Sequence, residues 1–146
     1  MASTVFPAAT AASSKTMYRT TLTSGTSYTV PTGALYLNVK LFGGGGAGGD
    51  GYADYNYALG NDGIGGSVIA STLSSTPGNS IAYAIGAGGV AGAGGSTTFT
   101  GATTATGGNI GVGATGESAK NGGYSIRSTS RGSDGGSGKI EIEYWV

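Results

Sequence analysis

The chain has 146 residues, one domain's length, with 32 Gly and a further 36 Ser and Thr. Only 36 are large apolar residues, enough for one thin core and too few for a wide globular interior. His and Cys are absent, which excludes Ser-His and Cys-His nucleophile pairs, thiolate or imidazole zinc sites and disulfide frameworks, and seven Lys and Arg balance seven Asp and Glu, leaving no electrostatic footprint for nucleic acid or an anionic membrane.

Met1 to Lys15 are rich in Ala, Ser and Thr and lack the basic and apolar blocks of a secretion signal; no apolar run reaches the roughly 18 residues of a membrane span. The expectation is an attachment arm over residues 1–16, one domain over 17–146, and synthesis in the cytoplasm of the producing cell. Leu, Ile, Val and Phe are scarce enough to admit disorder, but the net charge is zero and the aromatic share ordinary, so pattern decides.

The pattern is β. Met17 to Leu22 and Thr26 to Val30 flank Ser24-Gly25 and read as a strand pair. Leu35 to Phe42 alternates strictly, with Leu35, Leu37, Val39 and Leu41 on one face and Tyr36, Asn38, Lys40 and Phe42 on the other. Val68 to Leu73 and Ile81 to Ile85 flank Pro77-Gly78-Asn79, a second expected hairpin. Thr97 to Thr100 adds a short strand, and the C-terminus places Ile140, Ile142, Tyr144 and Val146 opposite Lys139, Glu141, Glu143 and Trp145. No window free of Gly carries helical periodicity, so almost no helix is expected.

Glycine tracts separate these strands: 43–51, 60–66, 86–95, 107–116, 122–123 and 132–138. Each ordered Gly costs roughly 0.5–1 kcal/mol of chain entropy relative to Ala. Tracts that recur so regularly between good strands therefore imply backbone geometry that excludes a Cβ, rather than flexible linkers. Threefold, polyproline-II-like segments packed side by side meet that requirement. The expected fold is all-β, a small antiparallel sandwich with ordered, polyglycine-II-like loops.

The run Gly25-Thr-Ser-Tyr-Thr-Val-Pro-Thr-Gly-Ala-Leu-Tyr-Leu-Asn-Val-Lys-Leu-Phe-Gly-Gly-Gly-Gly, then Gly65-Gly-Ser, Ile85-Gly-Ala-Gly-Gly, Gly94-Gly-Ser-Thr-Thr-Phe and Gly135-Gly-Ser-Gly-Lys-Ile-Glu-Ile-Glu-Tyr-Trp, resembles the glycine-rich domain of bacteriophage tail fibres and adhesins, over about Tyr18 to Val146. The resemblance implies a non-catalytic protein on the virion surface whose variable loops bind a host surface glycan or outer-membrane protein. It also implies a homo-oligomer, a trimer by analogy with fibres. The chain shows no shaft repeats before residue 17, so attachment to other virion proteins falls to the arm or the sheet. That leaves a second reading, a capsid decoration or head-fibre protein held on the coat lattice; a bacterial surface-layer component is a third, disfavoured by the missing signal sequence.

Tyr52, Tyr55 and Tyr57 interrupt the glycine tracts beside Asn56, and flat rings next to amide and carboxylate groups suit a sugar or a protein receptor; rings lying over glycine backbone as a substitute core are the structural alternative. A second loop gathers Lys120, Tyr124, Arg127 and Arg131, a set able to meet anionic polysaccharide. Trp145, with Tyr36 and Phe42, marks a candidate contact with a subunit or another virion protein. Gly86-Ala-Gly-Gly-Val-Ala91 fits a dinucleotide fingerprint but opens no helix. Gly45 to Ala53 fits a calcium nonapeptide once, where stacking needs several copies, although Asp50, Asp54 and Asp62 leave a lone oxygen-ligated ion conceivable. The carboxylates sit on glycine-rich loops rather than rigid strands, so no catalysis, no cofactor and no resident metal are expected.

Overall fold

The computed structural model describes residues 14–49, 51–53, 57–58, 61–111, 128–130 and 132–146. The expected arm therefore falls outside the described residues, apart from Ser14 to Thr16. No helix occurs among the described residues. Ten strands do: β1 (Met17–Leu22), β2 (Ser27–Thr29), β3 (Tyr36–Phe42), β4 (Gly51–Ala53), β5 (Tyr57–Ala58), β6 (Val68–Ser74), β7 (Ser80–Ala84), β8 (Thr98–Phe99), β9 (Ser128–Ser130) and β10 (Lys139–Trp145). They form a four-stranded sheet β1-β10-β3-β6, a three-stranded sheet β2-β7-β8 and a small sheet β5-β4-β9, all antiparallel.

The alternation read in β3 and β10 builds the core. Leu37, Val39 and Leu41 with Ile140 and Ile142 are fully buried, and they cluster with Tyr28 of β2, Tyr83 of β7 and Phe99 of β8. Burying each such side chain contributes about 1.5–3 kcal/mol. Phe99 is the hub of the second layer, with ring centroids 6.3 Å from Tyr28 and 6.4 Å from Tyr83.

Both expected hairpins are absent. β1 pairs with β10 and β2 with β7; β6 pairs with β3, not with its sequence neighbour β7. The turns at Gly25 and Gly78, with φ of +99° and +84°, carry the chain from one sheet to the other. Each flanking strand has one apolar face, and such a face is buried equally well across a sandwich or beside its neighbour. Local pattern cannot choose between an arch and a hairpin.

The buried Tyr28 hydroxyl has no hydrogen-bond partner among the described residues, and burial pushes its pKa up to about 12. The unfolded chain ionises this group near pH 10 while the folded chain keeps it neutral, so stability is full below pH 10 and falls as pH rises toward 12. Tyr28→Phe is expected to raise stability by about 1 kcal/mol at neutral pH. It should also remove about 2–3 kcal/mol of the alkaline loss. Urea titrations of both proteins from pH 8 to about 12 check this; parallel curves would refute it.

Between the sandwich and the small sheet lies a bundle of extended glycine segments. Its axis is 43–49, whose N–H groups take partners in strict rotation. Gly43, Gly46 and Gly49 donate to Ser67, Ile64 and Asn61; Gly44 and Ala47 to Gly95 and Gly92; Gly45 and Gly48 to Gly136 and Ser133, all at 2.8–3.0 Å. Every third residue thus faces the same neighbour, which is the three-residue turn of a polyproline-II-type helix with its hydrogen bonds made between segments. On the acceptor side, the carbonyls of Gly44, Gly45 and Ala47 receive Gly108, Gly89 and Gly111, each at 2.8 Å. Five segments, 61–67, 86–89, 92–95, 106–111 and 132–138, therefore surround the axis. The positive-φ glycines among the described residues are Gly25, Gly33, Gly78 and Gly101, all outside these segments. The bundle needs glycine for closeness instead: a methyl carbon built on Gly46 would lie 2.0 Å from the Asn109 carbonyl oxygen.

Candidate functional site

The bundle gives the molecule two poles. The ends of β3 and β7 and the approaches to β6 and β10 all meet at the sandwich, at Gly43, Gly86, Ser67 and Gly138. From there the axis runs six residue steps, about 19 Å at 3.1 Å each, to Gly49. Beyond it β4, β5 and β9 close the distal end, with Tyr52 opposite Ala58 on one side and Thr129 on the other. This pairing joins two stretches far apart in sequence. The Tyr52 and Tyr57 positions lie on adjacent strands, and β9 brings the end of the basic loop alongside the strand of Tyr52. Tyr55, Asn56, Lys120, Tyr124, Arg127 and Arg131 lie outside the described residues, as do Asp50 and Asp54.

At the other pole the strand pairing is extended by Thr16 and Val146, which exchange backbone hydrogen bonds of 2.8 and 3.1 Å. Trp145 and Tyr36 lie here, lining a shallow hollow of about 240 Å³ with Lys15, Gly33 and Leu35. Met17, Leu35, Tyr36, Trp145 and Val146 are each 37–61 % exposed, so large apolar side chains concentrate at this end. Phe42 shares the outer face of the sheet with Tyr36 and Trp145 but stands at its bundle end, six residues along β3 from Tyr36. Its ring lies beneath Lys139 and Lys40, whose Nζ atoms are 4.6 and 5.1 Å from the centroid. The three aromatic candidates therefore do not form one patch.

Between these ends the outer face carries a polar row across all four strands: Arg19, Glu143, Asn38 and Thr72 are successive register partners. Arg19 Nε donates to Glu143 Oε1 at 2.9 Å, and Thr72 Oγ1 donates to Asn38 Oδ1 at 2.8 Å. Along β10, Lys139 Nζ donates to Glu141 Oε1 at 2.6 Å, which holds the Glu141 carboxyl below its usual range. Glu143 likewise raises the pKa of Arg19, first through its hydrogen bond. These exposed pairs fix side-chain positions more than they add stability. Sequence reading missed the row because its members are gathered by strand order.

The two glycine motifs acquire structural roles. Gly86 to Gly89 form one bundle segment, and Ala91, with φ of 56°, turns the chain into the next, 92–95. Gly45 to Gly49 belong to the axis, and Asp62 follows Asn61, whose carbonyl accepts from Gly49. Among the described residues no three acidic side chains gather as a cation site.

An antiparallel sandwich feeding a polyglycine-II-type bundle defines an all-β glycine-rich domain. The chain belongs to the glycine-rich domain family, whose sequence profile matches residues 20–143. No curated protein matches the chain.

Proposed function

We propose that the chain is a non-catalytic binding module displayed on a bacteriophage particle, of the tail-fibre or adhesin type. Its distal loops would hold a host surface glycan or outer-membrane protein. The observation that carries this reading is the separation of the two poles. Residues 16 and 146 and the apolar cluster around Trp145 lie at one end, and the strands bordering both candidate loops lie at the other, across an ordered glycine bundle. Binding loops on rigid scaffolds are a common arrangement, because the scaffold supplies the entropy loss of fixing the loops before the ligand arrives. Such a spacer carries β4, β5 and β9, the strands that border both candidate loops. The residue types read in those loops, Tyr52, Tyr55, Asn56 and Tyr57 in one and Lys120, Tyr124, Arg127 and Arg131 in the other, are the rings and bases that suit an acidic polysaccharide. The arm and the apolar pole would then face the particle.

Particles carrying Tyr55→Ala together with Arg127→Ala are expected to adsorb to host cells about tenfold more slowly or worse, as for loss of a binding hot spot of about 1.4 kcal/mol or more. Unchanged adsorption would reject the binding role. Gold-labelled antibody against the chain should mark tail tips; label on the head would favour the capsid-decoration reading, with the same apolar pole seated on the coat lattice.

A further inference from the structure

β6 is an edge of the four-stranded sheet, and no described residue pairs with its outer side. Ser75 donates to the Leu35 carbonyl at 2.8 Å, in the same register as the whole β3-β6 ladder. Hydrogen-bonded pairs alternate along an antiparallel ladder, so Ile69, Ser71 and Leu73 direct their backbone groups to β3. Val68, Ala70, Thr72 and Ser74 direct theirs outward. Natural sheets guard such edges with charge, proline, bulges or short strands. This edge has none of these: Val-Ile-Ala-Ser-Thr-Leu-Ser is seven residues long, uncharged and in unbroken register. The opposite edge, β1, carries Arg19, and Lys15 precedes it.

We propose that β6 pairs antiparallel with β6 of a second copy about a twofold axis through Ser71, fusing two four-stranded sheets into one. The occupant is a second copy because the strand is complementary to itself. With Ser71 opposite Ser71, Val68 meets Ser74 and Ala70 meets Thr72 in the hydrogen-bonded pairs. On the core side Ile69 meets Leu73 twice, extending the apolar layer that both partly buried side chains already join. Shifting the axis by one residue leaves part of the strand unpaired and sets Ile69 against Ser71, so the apolar pattern selects this register. Within the four-stranded sheet no like charges are brought together: its charged residue nearest the seam is Lys40, and the two copies of it stand at least three strand spacings apart, about 14 Å, beyond the screening length of roughly 8 Å.

The chain has no cysteine, which makes a crosslinking test direct. Ser71→Cys places two thiols opposite each other in a non-hydrogen-bonded pair, where Cα atoms are about 4.5 Å apart and a disulfide fits. Mild oxidation of Ser71→Cys is expected to give a covalent dimer. Val68→Cys, at a more exposed site but opposite Ser74, should give at least about tenfold less. Crosslinking of Val68→Cys as fast as Ser71→Cys, or of neither, overturns the proposal. Sedimentation equilibrium of the unmodified chain over a concentration series should show a monomer-dimer equilibrium. Ala70→Pro, which removes only an outward N–H, should weaken it about tenfold or more while leaving thermal unfolding unchanged at dilutions where both proteins are monomeric. A trimer, a monomer at every concentration, or an unchanged dimer in Ala70→Pro would also refute it.

Discussion

Alanine at Gly46 is expected to destabilise the protein by about 3 kcal/mol or more, while alanine at Gly45, the adjacent residue, is neutral or stabilising by about 0.4–1 kcal/mol. The contrast follows from the threefold rotation of the axis. A methyl carbon on Gly46 would sit 2.0 Å from the Asn109 carbonyl oxygen and 2.4 Å from its carbon, and on Gly44 it would sit 2.1 Å from the Ala87 oxygen. Backbone is the obstacle in both cases, so no side-chain rotation relieves it, and the segments must separate and give up hydrogen bonds. On Gly45 the nearest heavy atom is the Gly136 nitrogen at 3.5 Å, ordinary contact. Since Gly45 has no positive φ, alanine there chiefly narrows the unfolded ensemble. Urea denaturation of the two variants, with hydrogen exchange on the tract amides, measures this. Equal effects at the two positions would mean that the bundle does not persist in solution.

Thr97→Val is expected to cost about 2–4 kcal/mol, although it hardly changes volume. Thr97 is fully buried where the sandwich meets the bundle. Its hydroxyl accepts the Gly86 N–H at 2.9 Å and donates to the Phe42 carbonyl at 2.7 Å. One side chain thereby satisfies the backbone at the ends of two strands that belong to different sheets, just where β3 and β7 give way to glycine segments. Valine leaves a buried donor and a buried acceptor unpaired. Thr97→Ser keeps the hydroxyl and loses only a methyl, so it should recover most of the loss. Exchange of the Gly86 amide should accelerate in the valine variant and not in the serine one. A valine variant within about 0.5 kcal/mol of the parent would show that water serves these groups instead.

Thr97 also shows where sequence reading stopped. The chain announced a short strand over Thr97 to Thr100, but three threonines around one Phe do not say which face is covered, and the burial of Thr97 on the side of Phe99 came from the packing. Its two partners were not visible, because Phe42 and Gly86 are 55 and 11 residues away. Trp145 was rightly assigned to the face opposite Ile140 and Ile142. Its neighbours at the pole depend on which strands flank β10, and the separation of Phe42 from it depends on the direction in which β3 leaves the sheet.

The one-dimensional pattern determined everything that has a period. Side chains alternate along a strand, so Leu37, Val39, Leu41, Ile140 and Ile142 declared the core unaided. The recurrence of glycine between good strands pointed to ordered backbone rather than linkers, and threefold segments packed side by side are a geometry that uses so many missing side chains. The tertiary structure decided partnership. The hairpins read around Gly25 and Gly78 became arches, since an apolar face carries no label for the layer that will cover it. The central place of 43–49 in the bundle, and the meeting of the Tyr52 strand with β9, come from hydrogen bonds between segments up to 91 residues apart. A main-chain N–H is the same in every residue but proline, so which carbonyl it finds is written only in the packing.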